Sequence, residues 1–522
     1  MLRLFPPRPH LRVPMRHLLF GASIFATMLA AGGMSLAGEG QLEIRVLDKD
    51  SGKPIACRMH LKTAGGKVKL PPRSVPVWDD HFIIPGSLAM KLPLGNYTFE
   101  LERGPEYALC TGNFTINNYS EDSKDVSMQR HADMAAEGWW SGDLDVRRGP
   151  KEAELLMNAE DLHVLQLTTW WNDHSGWTPA TLPKEPLLRW DDNRLCHLLA
   201  GQHVRPGGTL LYLNLSRPLP LGGPSKEHPP TSEYVEQIRK QPGAWIDCTR
   251  PYGWDVPVLA ALGQLDSIEV AHGNLGRKKV VAEETGGKPR DPQMLVGPRG
   301  HALWGQQIYF HLLNCGLRIP PSAGSGSGIT PNPVGYNRLY VHIDGDFSYE
   351  KWWKGFRAGR VTVTNGPLMR STVHGKPPGE VFQAPAGQTL EFEIGLTLST
   401  REPMSYLELI KDGRVEQEIR FDQYAQSGRL PKMKFDRSGW FAIRAVADIP
   451  NNYRFALSAP YYVEIGEERR ISKRSAQFFL DWVVERARRL NLPDEDQRRE
   501  VLEVHRRARD FWRELVERAN AE

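Results

Sequence analysis

From Gln41 the chain opens in strict alternation. In Leu42-Glu43-Ile44-Arg45-Val46 the apolar residues stand two apart, the period of a strand with one face buried. Asp50-Ser51-Gly52-Lys53-Pro54 is turn chemistry. Leu92-Pro93-Leu94-Gly95-Asn96-Tyr97 and the alternating Thr98-Phe99-Glu100-Leu101 continue the rhythm, so residues 41–130 are predicted to form an N-terminal β-sandwich. At Gly138 the rhythm changes to short apolar runs separated by helical stretches. Predicted strands are Leu144–Val146, Leu162–Thr169, Thr209–Leu215, Ala244–Cys248, Ser267–Ala271, Leu317–Ile319 and Arg338–Ile343. Predicted helices are Glu152–Ala159, Asn193–Gln202, Ser232–Gln241, Val256–Leu262 and His301–Cys315. Such alternation predicts a largely parallel sheet, closed into a barrel over residues 138–365, with function at the C-terminal ends of its strands.

From Gly366 the period returns to two, in Leu390-Glu391-Phe392-Glu393-Ile394 and Tyr406-Leu407-Glu408-Leu409-Ile410, with Lys411-Asp412-Gly413-Arg414 as a hairpin turn. Residues 366–467 therefore read as a second β-sandwich. A helical hairpin is predicted over 468–522, with Asp494 as N-cap and Val501, Val504, Ala508, Phe511 and Leu515 as an apolar stripe packing on the protein's own body.

Composition changes the picture at the N-terminus. Arg3, Arg8, Arg12 and Arg16 precede an apolar core from Leu18 to Ala31 and the small-x-small triplet Ser35-Leu36-Ala37. This pattern predicts a cleaved signal peptide over 1–37 and an exported protein, periplasmic or extracellular; an uncleaved anchor is the alternative. The formal charge of +4 is carried by those four arginines, so the remaining chain is neutral and has no nucleic-acid footprint. No later stretch predicts a membrane span. Five cysteines leave at least one free thiol in a monomer; Cys57 and Cys110 share a predicted module, and their pairing stays open.

Candidate chemistry is concentrated in the middle. The segments are Trp139-Trp140-Ser141-Gly142-Asp143-Leu144-Asp145-Val146-Arg147, then Thr169-Trp170-Trp171-Asn172-Asp173-His174, Asp247-Cys248-Thr249-Arg250-Pro251 and Glu269-Val270-Ala271-His272. The loop Gly324-Ser325-Gly326-Ser327-Gly328 follows. Strand alternation puts Asp143, Asp145 and Arg147 on one face. Eleven of the fifteen tryptophans fall between Trp139 and Trp353; paired Trp must point opposite ways, so only one of Trp170 and Trp171 faces a pocket. The Gly/Ser loop lacks the Lys-Ser/Thr of a phosphate loop, and no Gly-x-Ser-x-Gly elbow occurs.

In order and spacing these segments resemble the carbaryl-hydrolase type (CehA/McbA) of metallohydrolase, in the polymerase-and-histidinol-phosphatase (PHP) superfamily, over Gly138 to about Asn365. The resemblance implies a distorted (β/α) barrel between two β-sandwich modules, with His and Asp side chains holding divalent metals. In this chain the family's His-x-His stands as Asp145 and Arg147. Its Thr-Asp-His-Asn stands as Thr169-Trp170-Trp171-Asn172, its His-Pro as Arg250-Pro251, and its Gly-Ser-Asp-x-His as the Gly/Ser loop. Asp143 and Glu269 keep the family's residue types.

A guanidinium has no lone pair for a metal, but forks well onto carboxylate, sulfate or phosphate. The leading expectation is a metal-free, non-catalytic descendant binding an anionic or carbohydrate small molecule or glycan. Arg147, Trp170, Trp171, Asn172, Arg250 and His272 are its candidate ligand-binding residues, with no cofactor predicted. Against it stands a purely structural role, with both arginines paired to Asp143, Asp145 or Glu269. The alternative function is a Zn- or Mn-dependent hydrolase of an ester, carbamate or phosphoester. It would use a rearranged catalytic set from Asp143, Asp145, Asp173, His174 and Glu269.

Overall fold

The computed structural model describes residues 38–71, 74–223 and 226–522; the expected signal peptide over 1–37 lies outside the described residues. The molecule is multidomain and β-rich, with 38% strand against 21% helix, so sheets set its architecture and helices cover them.

The N-terminal part stacks two sheets. Glu39–Asp48 lies between Ser87–Pro93 and Glu121–Met128, and a five-stranded sheet built on Cys57–Thr63 and Gly95–Glu102 packs over it. Leu42, Ile44 and Val46 are buried between them, as their alternation dictates. Cys57 and Cys110 are both free thiols.

The central sheet closes on itself. Its strands are β1 (Trp139–Val146), β2 (Val164–Trp171), β3 (Arg194–Arg205), β4 (Gly208–Leu213), β5 (Trp245–Cys248), β6 (Ser267–Ala271), β7 (Pro321–Ala323) and β8 (Arg338–His342). β1, β2 and β3 run parallel, as do β5, β6 and β7. β4 is antiparallel to both β3 and β5, and β8 is antiparallel to β1. The sheet is therefore mixed rather than uniformly parallel. β8 also pairs with Val361–Thr364, and that strand with Phe455–Ser458, so hydrogen bonding runs on into the C-terminal strands.

Two expected elements need correction. The segment predicted as helix Asn193–Gln202 is strand β3. Leu195, Leu198 and Leu199 have helical spacing, but β3 is buried on both faces and has no polar face to reveal its period of two. The strand expected at Leu317–Ile319 instead begins at Pro321, after the helix Gly297–Asn314.

In the C-terminal part, Met404–Lys411 and Arg414–Arg420 form the expected hairpin, with Asp412 and Gly413 at φ 49° and 80°. The helices Lys473–Arg489 and Glu495–Glu517 pack on the helix Val256–Ala261, with Trp512 Nε1 donating to Pro257 O at 2.8 Å. Asp494 caps the second helix by accepting from Asp496 N and Gln497 N. Among the described residues no helix is long and apolar enough to cross a membrane.

Candidate functional site

A cavity of about 470 Å³ opens where β1, β2, β5 and β6 end and β4 begins. Because β4 runs against its neighbours, its first residues reach the same rim as their last ones. Asp145 comes from the end of β1 and Trp171 from the last position of β2. Gln202 comes from β3, Thr209 from the start of β4, Arg250 from just past β5, and Glu269 and His272 from β6 and its exit. Backbone amides and carbonyls at the strand ends hold the rim. Arg147 N donates to Ser327 O at 2.8 Å and Gly326 N to Asp145 O at 2.9 Å, which seats the Gly/Ser loop against β1. Gly324 is obligatory at this seam. A Cβ there would lie 2.3 Å from Glu269 Oε1 and 2.5 Å from Asp145 Cβ.

The two arginines face the cavity without a carboxylate partner. Arg147 donates through Nη2 to Gln202 Oε1, and its guanidinium lies 4.0 Å over the Trp171 ring; its Nε has no partner. Arg250 makes no side-chain hydrogen bond or ion pair among the described residues. The paired-arginine arrangement weighed above is thus not the one formed. Asp145 Oδ1 and both ring nitrogens of His272 are buried without hydrogen-bond partners, and Glu269, fully buried, has Asp247 as its side-chain partner.

Burial dominates the titration of these groups. It pushes Asp145 up to about 6, with Arg147 and Arg250 pulling the other way and Asp247 adding to the rise. Burial, then the charges of Asp247, Asp145 and Asp143, raise Glu269 well above the usual carboxylate range. Burial, His301 and Arg250 hold His272 well below the usual imidazole value, so it is neutral. Near pH 7 Asp145 is thus a carboxylate, Glu269 a carboxylic acid and His272 a neutral imidazole, beside the guanidiniums of Arg147 and Arg250.

The remaining sequence candidates divide. Asp173 and Asn172 line the cavity, but Asn172 is committed elsewhere. It sits at φ 48°, a conformation asparagine tolerates, and its Nδ2 donates to Val204 O and Gly222 O while Oδ1 accepts from Val204 N. Asp143 lies beneath the cavity rather than on it. Its carboxylate accepts from Ser325 N, Gly335 N and Asp145 N, and burial lifts it to about 7. Trp170 is buried on the opposite face of β2, with Nε1 3.3 Å from Leu199 O. Trp171 is the member of the pair that faces the cavity, but its ring already carries Arg147 and stacks at 4.6 Å on the exposed His174, which does not line the cavity. Its task is to orient Arg147 rather than to offer an open stacking face. Gln202, Thr209, Thr249 and Asn274 also line the site and were not singled out from sequence. For Gln202 the helical reading of β3 hid its position; for Asn274, the polar residue directly after His272-Gly273 was the available signal.

A metal set is not assembled here. Among the described residues one His/Cys/Asp/Glu group has ligand atoms within 4.8 Å of one another, His60, Asp80 and His81, in the N-terminal sheets and away from this cavity. There Asp80 Oδ1 lies 3.2 Å from His60 Nδ1 and 3.5 Å from His81 Nδ1, and Lys278 Nζ lies 2.9 Å from Asp80 Oδ2. Arg58 Nε donates to His60 Nε2 at 3.2 Å. Burial lowers the His60 pKa and keeps that ring neutral, so its one proton belongs on Nδ1, facing Asp80. A protonated Nδ1 has no lone pair for an ion, and the group reads as a buried polar cluster.

No family model matches the chain, and no curated protein matches it. Among solved structures, the minor pilin GBS52 of Streptococcus agalactiae is similar at 19% identity over 18% of this chain and 45% of its own, with a TM-score of 0.16. The Bacillus anthracis TIE protein is similar at 22% identity over 21% of this chain and 19% of its own, with a TM-score of 0.15. Phospholipase PlaB from Legionella pneumophila is similar at 14% identity over 19% and 26%, with a TM-score of 0.14. Each alignment spans less than half of the compared protein, and at these TM-scores none carries an argument about fold or function.

Proposed function

We propose that this chain is an exported, PHP-like protein that has exchanged metal chemistry for recognition of an anionic small molecule through Arg147 and Arg250. The observation that carries the reading is the pair of guanidiniums lining one cavity with no carboxylate within ion-pair distance among the described residues. Unpaired cationic groups on a partly enclosed wall need an anion, and arginine meets carboxylate, sulfate or phosphate with two parallel hydrogen bonds. The family reading rests on the order of the motifs and on their positions at strand ends; export rests on the basic, apolar and small-x-small pattern before Glu39.

The alternative, a Zn- or Mn-dependent hydrolase built from Asp143, Asp145, Asp173, His174 and Glu269, fits these residues poorly. Asp143 is consumed by backbone amides, His174 stands outside the cavity, and two arginines line the same cavity. The test is calorimetric titration of the mature protein with a panel of small carboxylates, sulfates and phosphates. Arg250→Ala and Arg147→Ala are each expected to weaken the best binder at least tenfold, since a charge-assisted hydrogen bond contributes about 1.5–3 kcal/mol. Unchanged affinity in both variants overturns the reading.

A further inference from the structure

We infer that the ligand is a sugar acid: one molecule carrying both a carboxylate for the arginines and several hydroxyls for the buried carboxyls and imidazole of the same cavity. The inference rests on the anion-binding reading and narrows it. The cavity makes two demands that no single simple group meets. Arg147 and Arg250 ask for negative charge. Asp145, 5% exposed, holds an oxygen with no donor, and His272, 2% exposed, has neither ring nitrogen paired; Glu269, 0% exposed, is a carboxylic acid hydrogen-bonded to Asp247, and its remaining oxygen has no donor. A buried polar atom without a partner is costly, and native interiors rarely tolerate several together.

An inorganic anion would satisfy the guanidiniums but leave these acceptors empty, and the Asp145 carboxylate would repel it at close range. A neutral sugar would donate to Asp145 and Glu269 but leave both arginines unpaired. A hydroxylated carboxylate answers both sets at once. Each sugar hydroxyl donates once and accepts twice, which suits a cavity lined by the Asp145 carboxylate, the Glu269 carboxylic acid and the donor-acceptor amides of Gln202 and Asn274. The size agrees, because about 470 Å³ lies in the range of small-molecule sites and far exceeds what a bare anion fills. Trp171, already covered by Arg147, does not supply a stacking platform, so specificity here comes from hydrogen bonds.

The experiment is calorimetric titration of the mature protein at pH 7 with D-glucuronate, D-galacturonate, D-mannuronate and D-gluconate. D-Glucose, acetate, sulfate and phosphate are titrated alongside. At least one sugar acid is expected to bind ten times or more tighter than glucose and than every simple anion. Glu269→Gln is expected to weaken that sugar acid severalfold while leaving sulfate or acetate binding unchanged, and Arg250→Ala to weaken both kinds. Sulfate, phosphate or acetate binding as tightly as every sugar acid overturns the sugar-acid inference and leaves the anion reading standing. Glucose binding as tightly as the sugar acids, with no effect of Arg250→Ala, overturns both. Absence of binding by all eight compounds also overturns the sugar-acid inference.

Discussion

Asp145 shows how much a single carboxyl can hold against its surroundings. Its folded value of about 6 stands above the ordinary 3.8, because burial outweighs the pull of Arg147 and Arg250. Between these two values the folded protein binds more protons than the unfolded chain. The site's contribution to stability is therefore present at low pH and lost as pH rises from about 4 to 6. Asp145→Asn removes that dependence. Relative to the unsubstituted protein, it is expected to gain roughly 3 kcal/mol more stability at pH 8 than at pH 4, two units at about 1.4 each. Paired urea titrations of both proteins at the two pH values measure this; buried histidines that titrate in the same window cancel in the difference. A pH-independent difference would show that the carboxyl is solvated or paired. Asp143, two residues earlier on the same face, has the same chemistry but a different fate, since three backbone N–H groups take its oxygens. Alternation placed both acids on one side of β1; which of them meets the cavity depends on where the Gly/Ser loop lands.

Among the elements, β3 was the least legible. Its twelve residues, Arg194 to Arg205, are buried almost throughout and bring Gln202 and Val204 to the cavity. Being covered on both faces it has no polar stripe, and its leucines fall by chance at helical spacing. Gly201 is the informative position. A Cβ there would lie 2.1 Å from Trp170 Cε2, so the glycine exists to seat the indole of the neighbouring strand. Gly201→Ala is expected to cost about 1–3 kcal/mol through overpacking, and to shift Trp170 and with it the end of β2 that presents Trp171. Thermal unfolding and tryptophan emission would report both effects; an unaltered melting temperature would mean that β2 and β3 separate freely. Gly142 does the same for Trp352, with a Cβ position 2.5 Å from Cζ2. Small residues opposite tryptophans are thus a recurring packing device here, and the sequence showed the tryptophans without showing which glycines served them.

At the scale of the molecule, the C-terminal helices brace the wall behind the cavity. Arg486, 3% exposed, pairs with Glu227 at 2.5 Å and with Asp255 at 2.7 Å. Asp255 immediately precedes the helix Val256–Ala261, only a few residues after Arg250. Removing one partner of a buried ion pair strands the other charge, so Arg486→Ala is expected to destabilise by about 3–5 kcal/mol. It should also make residues 468–522 more susceptible to limited proteolysis, followed by mass spectrometry of the fragments. Cleavage unchanged from the parent protein would mean that apolar packing around Trp512 and Phe479 holds the helices without the pair. The front of the molecule is tied in similarly. Arg58 and Arg103 of the N-terminal sheets pair with Glu160 and Asp161 beside β2, and Arg277 reaches back to Glu102 at 2.5 Å.

The sequence alone determined what depends on neighbours along the chain. Alternation at Leu42–Val46 gave a half-buried strand, Asp412-Gly413 a hairpin, Asp494 a helix cap, and strand geometry sent Trp170 and Trp171 to opposite faces. All are consequences of local dihedrals and side-chain period. Only the tertiary structure decided that Arg147 and Arg250 stay unpaired while Arg486 and Arg103 do not. It also decided that Asp143 is structural while Asp145 is exposed to the cavity, and that β4 turns against its neighbours to complete the rim. A guanidinium's partner is set by distances between strands a hundred residues apart, and by the dielectric that their packing creates. Neither quantity is written in any local period.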